Sequence, residues 1–185
     1  FTRLRCAKFY NFIPWKALKG CENVELVESV GARYIYNEAF SNCTRLKTVK
    51  MPQVKTICKN AFYGCTNLQT VTIPQAQEIE QSAFSNCTSL QTLTLPQLQA
   101  IGSSAFSNCI SLQDVTLPRV KTICKNAFDG CTNLRVLFLP QLQTFENSAF
   151  SNCPSLHTVI LSKIQTIEKS AFSNCTQLQI VNIPQ

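Results

Sequence analysis

Eleven cysteines and one histidine carry most of the reactive chemistry in this 185-residue chain. Thiolates attack electrophiles, bind soft metals and pair as disulfides. Eight of the eleven recur at one spacing: Cys21, Cys43, Cys65, Cys87, Cys109, Cys131, Cys153 and Cys175 each stand 22 residues after the last. Cys58 and Cys124 share a second slot, and Cys6 stands alone. Metal binding is poorly served, because there is no CxxC and only His157 to assist. Disulfides between neighbours need Cβ atoms that face each other, which side chains stacked in parallel rarely offer. The repeated slot lies near Phe and Leu in every copy, so a ladder of buried free thiols is expected. Cys58 and Cys124 fall where other copies carry Glu80, Gly102, Glu146 and Glu168. These two are expected to be more exposed and more reactive.

The remaining titratable groups do not converge. His157 occupies a slot filled elsewhere by Lys47, Gln69, Gln91, Gln113, Arg135 and Gln179, a polar surface position without a partner carboxylate. No GxSxG, HExxH or phosphate loop is present. The expectation is a protein that is not an enzyme, with no catalytic residues, no metal site and no cofactor.

The cysteines are positioned by a repeat. Ala-Phe pairs begin at Ala39, Ala61, Ala83, Ala105, Ala127, Ala149 and Ala171, again 22 apart and without insertions. A constant period of this size is the signature of a solenoid, whose coils bury their apolar side chains only by stacking. Within one coil, Leu90, Leu93 and Leu95 follow LxxLxL, with Thr92 and Thr94 between them. That alternation predicts a short strand with leucines inward and threonines outward. A proline follows at Pro52, Pro74, Pro96, Pro118, Pro140 and Pro184, with Ser162 the one departure, and ends each strand at the same corner. A second inward position holds Ile57, Ile79, Ile101, Ile123, Phe145 and Ile167. Ala17-Leu18 and Cys21 mark an eighth, degenerate copy that begins near Ile13. Residues 1–12 fit no slot and read as a cap or connecting segment. Residues 13–185 then form one repeat domain of one degenerate and seven regular coils, the last incomplete.

The unit LxxLxLPxxLxxIxxxAFxxC resembles the leucine-rich repeat of the BspA-like, treponemal-type family. The resemblance implies a right-handed leucine-rich-repeat solenoid with parallel β-strands on the concave face and short strands, turns and irregular structure on the convex face. It also implies surface-displayed or secreted proteins of bacteria and parasitic protists that act in adhesion or ligand binding. An intracellular protein–protein scaffold stays open as the alternative. Residues 51–68 and 117–134 are nearly identical, which reads as duplication of a three-coil block.

The outward strand positions bear on partners. They run Thr48 and Lys50, Thr70 and Thr72, Thr92 and Thr94, Asp114 and Thr116, Val136 and Phe138, Thr158 and Ile160, Ile180 and Asn182. The later ones turn apolar, and clustered exposed apolar side chains mark binding surfaces. Val136, Phe138, Thr158, Ile160, Ile180 and Asn182 are therefore the expected ligand-binding residues, for a protein or glycan partner. Residues 1–59 hold 11 of the 17 Lys and Arg and 4 of the 10 acids, so the whole net charge of +7 sits there. Nucleic-acid binding is not expected, because Lys55 and Lys59 are separated from Arg119, Lys121 and Lys125 by neutral or acidic coils. No apolar run is long enough to span a membrane. The chain opens on Phe1 rather than Met, as a fragment or mature form would, and stops just after a strand. Self-association end to end or face to face, or further sequence, is expected to cover that edge.

Overall fold

The computed structural model describes residues 4–164, 167–168 and 170–182; of Ile180 and Asn182 it describes only the backbone. The chain winds as a parallel β-solenoid with two strand-bearing faces. The first face carries β1 (Cys6–Phe9), β2 (Leu26–Ser29), β4 (Thr48–Lys50), β6 (Thr70–Thr72), β8 (Thr92–Thr94), β10 (Asp114–Thr116), β12 (Val136–Leu139), β14 (Thr158–Leu161) and β15 (Ile180–Asn182). The second face carries two-residue strands: β3 (Tyr34–Ile35), β5 (Thr56–Ile57), β7 (Glu78–Ile79), β9 (Ala100–Ile101), β11 (Thr122–Ile123) and β13 (Thr144–Phe145). Every strand pair is parallel, and from β2 onward partners sit 22 residues apart, as in Leu26↔Thr48 and Asp114↔Val136.

The segment expected to cap or connect contributes a strand. β1 pairs with β2 as Cys6↔Leu26 and Ala7↔Val27, an offset of 20 rather than 22. A two-residue difference leaves the in–out alternation intact, so Ala7 is buried in line with Val27 and Val49. Ile13 forms a parallel bridge to Ile35 and is fully buried.

The alternation predicted for the strands is observed. Leu93 and Leu95 are buried and Thr92 and Thr94 exposed. Behind them run columns of like residues: Phe40, Phe62, Phe84, Phe106, Phe128 and Phe150 are all fully buried, and their rings stack 5.0–5.6 Å apart. The isoleucine column is buried from Ile57 to Phe145. Ile167 departs from it and is 49% exposed. The first-face ladder is also interrupted: β6 and β8 are not hydrogen-bonded to each other, and Val71 is only half-buried. The second face runs unbroken past the gap through β5, β7 and β9.

The corner carrying Ala-Phe explains its own composition. Two positions in each coil have positive φ, as at Ser82 (54°) and Asn86 (61°) on either side of Ala83-Phe84-Ser85. Asn and Gly tolerate this conformation best, hence Asn-Cys or Gly-Cys in each copy. The asparagines stack, with Asn108 Nδ2 donating to Asn86 Oδ1 at 3.2 Å. At Gly130 a Cβ would lie 2.5 Å from Asn108 Oδ1. Gly102 has a different reason: a Cβ there would meet the Glu80 carbonyl carbon at 2.7 Å, so side-chain loss permits the close approach of two coils.

Candidate binding face

β12 and β14 place the expected ligand-binding residues side by side. The register pairs Val136 with Thr158 and Phe138 with Ile160, and the next pairs put Thr158 beside Ile180 and Ile160 beside Asn182. Leu137, Leu139, Val159 and Leu161 point inward and are buried. Their alternate neighbours therefore project from the first face. Phe138 is 37% exposed, while Val136, Thr158 and Ile160 are half-buried. Neighbouring strands are only about 4.8 Å apart, so large outward side chains cover one another from the side. The side chains of Ile180 and Asn182 lie outside the described residues; their backbone extends the two rows. Exposed Asp114, Thr116 and Arg135 border the apolar group. His157, in the half-buried slot beside Arg135, has Nδ1 3.3 Å from the Ser155 carbonyl oxygen. The arrangement is a small apolar surface with a polar margin on a parallel sheet.

The repeat and its pitch are those of a known family. The BspA type leucine-rich repeat region matches, in six copies, over residues 11–135 and 99–185. The chain belongs to the BspA-type leucine-rich-repeat family. A leucine-rich repeat protein of T. pallidum shares 28% identity over 94% of this chain and 83% of its own, with a TM-score of 0.78. One from Bacteroides ovatus shares 21% identity over 94% of this chain and 62% of its own, with a TM-score of 0.60. No curated protein matches the chain. Leucine-rich-repeat solenoids are scaffolds for binding proteins, because stacked coils present an extended face.

In this BspA-type solenoid the cysteine column is a polar device as well as a packing one. All eleven cysteines are free thiols, and Cys43, Cys65, Cys87, Cys109, Cys131 and Cys153 are fully buried. Each of these S–H groups donates to a backbone oxygen 25 residues earlier, as Cys65 does to Phe40 at 3.1 Å and Cys109 to Phe84 at 3.2 Å. One coil's thiol thereby satisfies the preceding coil's turn, which an aliphatic side chain would not do.

Cys58 and Cys124 are less buried than the fully buried column, as their slot leads one to expect, but neither stands fully exposed. Cys58 is buried and Cys124 half-buried. Burial pushes the Cys58 thiol up to about 11, helped by the Glu80 carboxylate, and raises Cys124 beside Glu146 for the same reasons. The cause is the next coil. Glu80 reaches back to accept from the Lys59 backbone N–H at 2.9 Å, and Glu146 does the same for Lys125. Each glutamate covers the cysteine below it, so the near-identical blocks repeat one local structure. Thiol labelling of the native chain is expected to modify Cys6 at once. Cys21, Cys124 and Cys175 should follow slowly, and the seven buried cysteines should react only on unfolding. Rapid modification of Cys58, read by peptide mass mapping, would contradict this order.

The sequence reading missed a second exposed group. Phe12, Trp15, Tyr34 and Tyr36 lie in the first two coils on the second face, and Tyr10 and Val30 stand exposed at the adjoining corner. A signal was present: Phe12 and Tyr34 share a 22-residue column with Thr56, Glu78, Ala100, Thr122 and Thr144. They are the aromatic members of an outward polar or small row.

Proposed function

We propose that the protein is a non-catalytic binding platform that acts in adhesion at the cell surface or after secretion. Its partner is a protein or glycan of host or matrix, and Phe138 anchors it. The observation that carries the reading is the exposed Phe138 ring beside Ile160 and near Val136, on strands whose inward residues are locked in the core. Substrate-free binding of this kind needs a preorganised surface more than mobile groups, and the two-sided solenoid supplies it. Phe138→Asp is expected to weaken binding to immobilised matrix protein by about thirtyfold or more, the scale of a hot-spot loss. Its melting temperature should stay near that of the parent. Unchanged affinity would remove the site, and gross unfolding would place Phe138 in the core.

A second reading draws on the thiols. Free cysteines persist most readily in reducing compartments, and eleven of them favour an intracellular protein–protein scaffold. Titrating accessible thiols in material purified with and without reductant separates the two: eleven free thiols without reductant support the intracellular scaffold, and oxidised or paired thiols support the surface protein.

A further inference from the structure

We infer that the first two coils carry a second binding site, on the other face of the rod, for an acidic polysaccharide. It does not depend on Phe138. Trp15 and Phe12 are each 63% exposed, Tyr34 49% and Tyr36 45%. Their placement is fixed from below. Ile13 bridges Ile35, both fully buried, and the Tyr36 N–H donates to the Ile13 carbonyl at 3.3 Å. Phe12 is thereby set beside Tyr34, and Trp15 follows one residue beyond the contact. The Tyr34 and Tyr36 rings stack with centroids 6.2 Å apart, and Lys16 Nζ sits 4.4 Å from the Trp15 ring. Further along this face the equivalent positions are polar or small, so the rings are a local feature and not a property of the repeat.

Charge selects the occupant. The whole net charge of +7 lies within residues 1–59. Ion pairs take up Lys8, Lys19, Lys47 and Lys50 against Glu28, Glu38, Glu25 and Glu28. Arg33 and Lys55 are exposed one coil apart, joined by a 2.8 Å backbone bond, and precede Tyr34 and its column neighbour Thr56. Among the described residues no carboxylate forms an ion pair with either. Aromatic faces bind the C–H faces of sugar rings, and a guanidinium binds sulfate or carboxylate in a fork. Rings and unpaired cations together therefore fit a polymer of acidic sugars. A peptide strand is less well served, because the Ile13 bridge occupies that edge of β3. Single-stranded nucleic acid needs a continuous basic groove with separated stacking rings. Here Tyr34 and Tyr36 stack on each other, and the rod beyond residue 59 is neutral.

The test measures binding of the full chain to heparin, dextran and single-stranded oligo-dT. Binding to heparin and not to dextran is expected. The triple variant Trp15→Ala, Tyr34→Ala, Tyr36→Ala keeps the net charge and should lose about tenfold, since each tenfold corresponds to about 1.4 kcal/mol. Arg33→Gln with Lys55→Gln should lose as much, and this pair decides the matter if the ring variant fails to fold. Arg119→Gln with Lys121→Gln removes equal charge from the same face, away from the rings, and should leave affinity within about twofold. Full heparin affinity in the ring variant, or equal loss at Arg119 and Lys121, would reduce the site to diffuse attraction and overturn it. Tighter binding of oligo-dT than of heparin would overturn it in favour of nucleic acid. Phe138→Asp should leave heparin binding intact, which keeps this site separate from the first-face reading.

Discussion

Titration under reducing conditions to about pH 10.5 is expected to unfold the protein, and the cysteine column is the reason. Burial holds Cys43 and Cys109 up to about 12, and raises Cys65, Cys87 and Cys131 well above the ordinary thiol value, with neighbouring thiols of the column adding to the last three. Cys153 is raised by its bond with Cys175 and by burial. Ionisation would also remove the S–H that each donates to the preceding coil. In the unfolded chain the same thiols titrate near pH 8.5–9. Above that pH the unfolded state releases protons that the folded state retains, so stability falls as pH rises and is unaffected below it. Each thiol removes about 1.4 kcal/mol per pH unit, and six together remove about 8 kcal/mol per unit. A domain holds only about 5–15 kcal/mol in total. Urea melts at fixed ionic strength between pH 8.5 and 10 measure the slope. Cys109→Ala with Cys131→Ala should cut the six-thiol column's part of that slope by about one third. An unchanged slope would show that the column does not resist ionisation in the folded state.

What the sequence made legible follows from equal coil length. With no insertions in seven copies, Ala105, Phe106 and Cys109 had to fall in line with their counterparts, and they do. The in–out order of Leu93 and Thr94 follows from the two-residue period of a strand. The missed features depend on contacts between unlike neighbours. Cys6–Phe9 escaped the alignment because its pairing offset is 20, although the alternation survives that shift. The burial of Cys58 depends on a glutamate 22 residues later folding back, which no single coil encodes. The interrupted pairing of β6 and β8 has no mark in their regular sequences, and nothing in the structure explains it. At the first-face site the register was legible and the degree of exposure was not. Val136 and Ile160 are half-buried because strand spacing lets neighbours shield them, a distance effect that a column of letters does not carry. The aromatic group at Phe12 and Tyr34 was readable as a column but lies on the face where only inward positions invite scrutiny.

Phe106→Ala and Phe172→Ala are expected to differ in both cost and reach, although the two residues occupy the same slot of the repeat. Phe106 is fully buried, and its ring stacks on Phe84 at 5.4 Å and Phe128 at 5.2 Å. Removing a buried phenylalanine costs about 3–5 kcal/mol, from lost transfer energy and the cavity left behind. Phe172 is half-buried and stacks on Phe150 at 5.3 Å, with Phe145 edge-on at 5.8 Å. Truncation there should cost about half as much, since less area leaves water when it packs. Reach separates them further. In a solenoid each coil is stabilised through its two neighbours alone, so a hole at Phe106 weakens two interfaces and divides the stack there. Hydrogen exchange of Phe106→Ala should lose protection in the coils on both sides, with a large fall in the urea midpoint. Phe172→Ala should fray the coil around residues 170–182 and leave protection at Phe62 and Phe84 unchanged. Equal costs with uniform loss of protection would mean that the columns act as one global core. The neighbour-by-neighbour coupling that holds Phe138 and Tyr34 on independent parts of one rod would then be wrong, and a mutation at either site would be felt at the other.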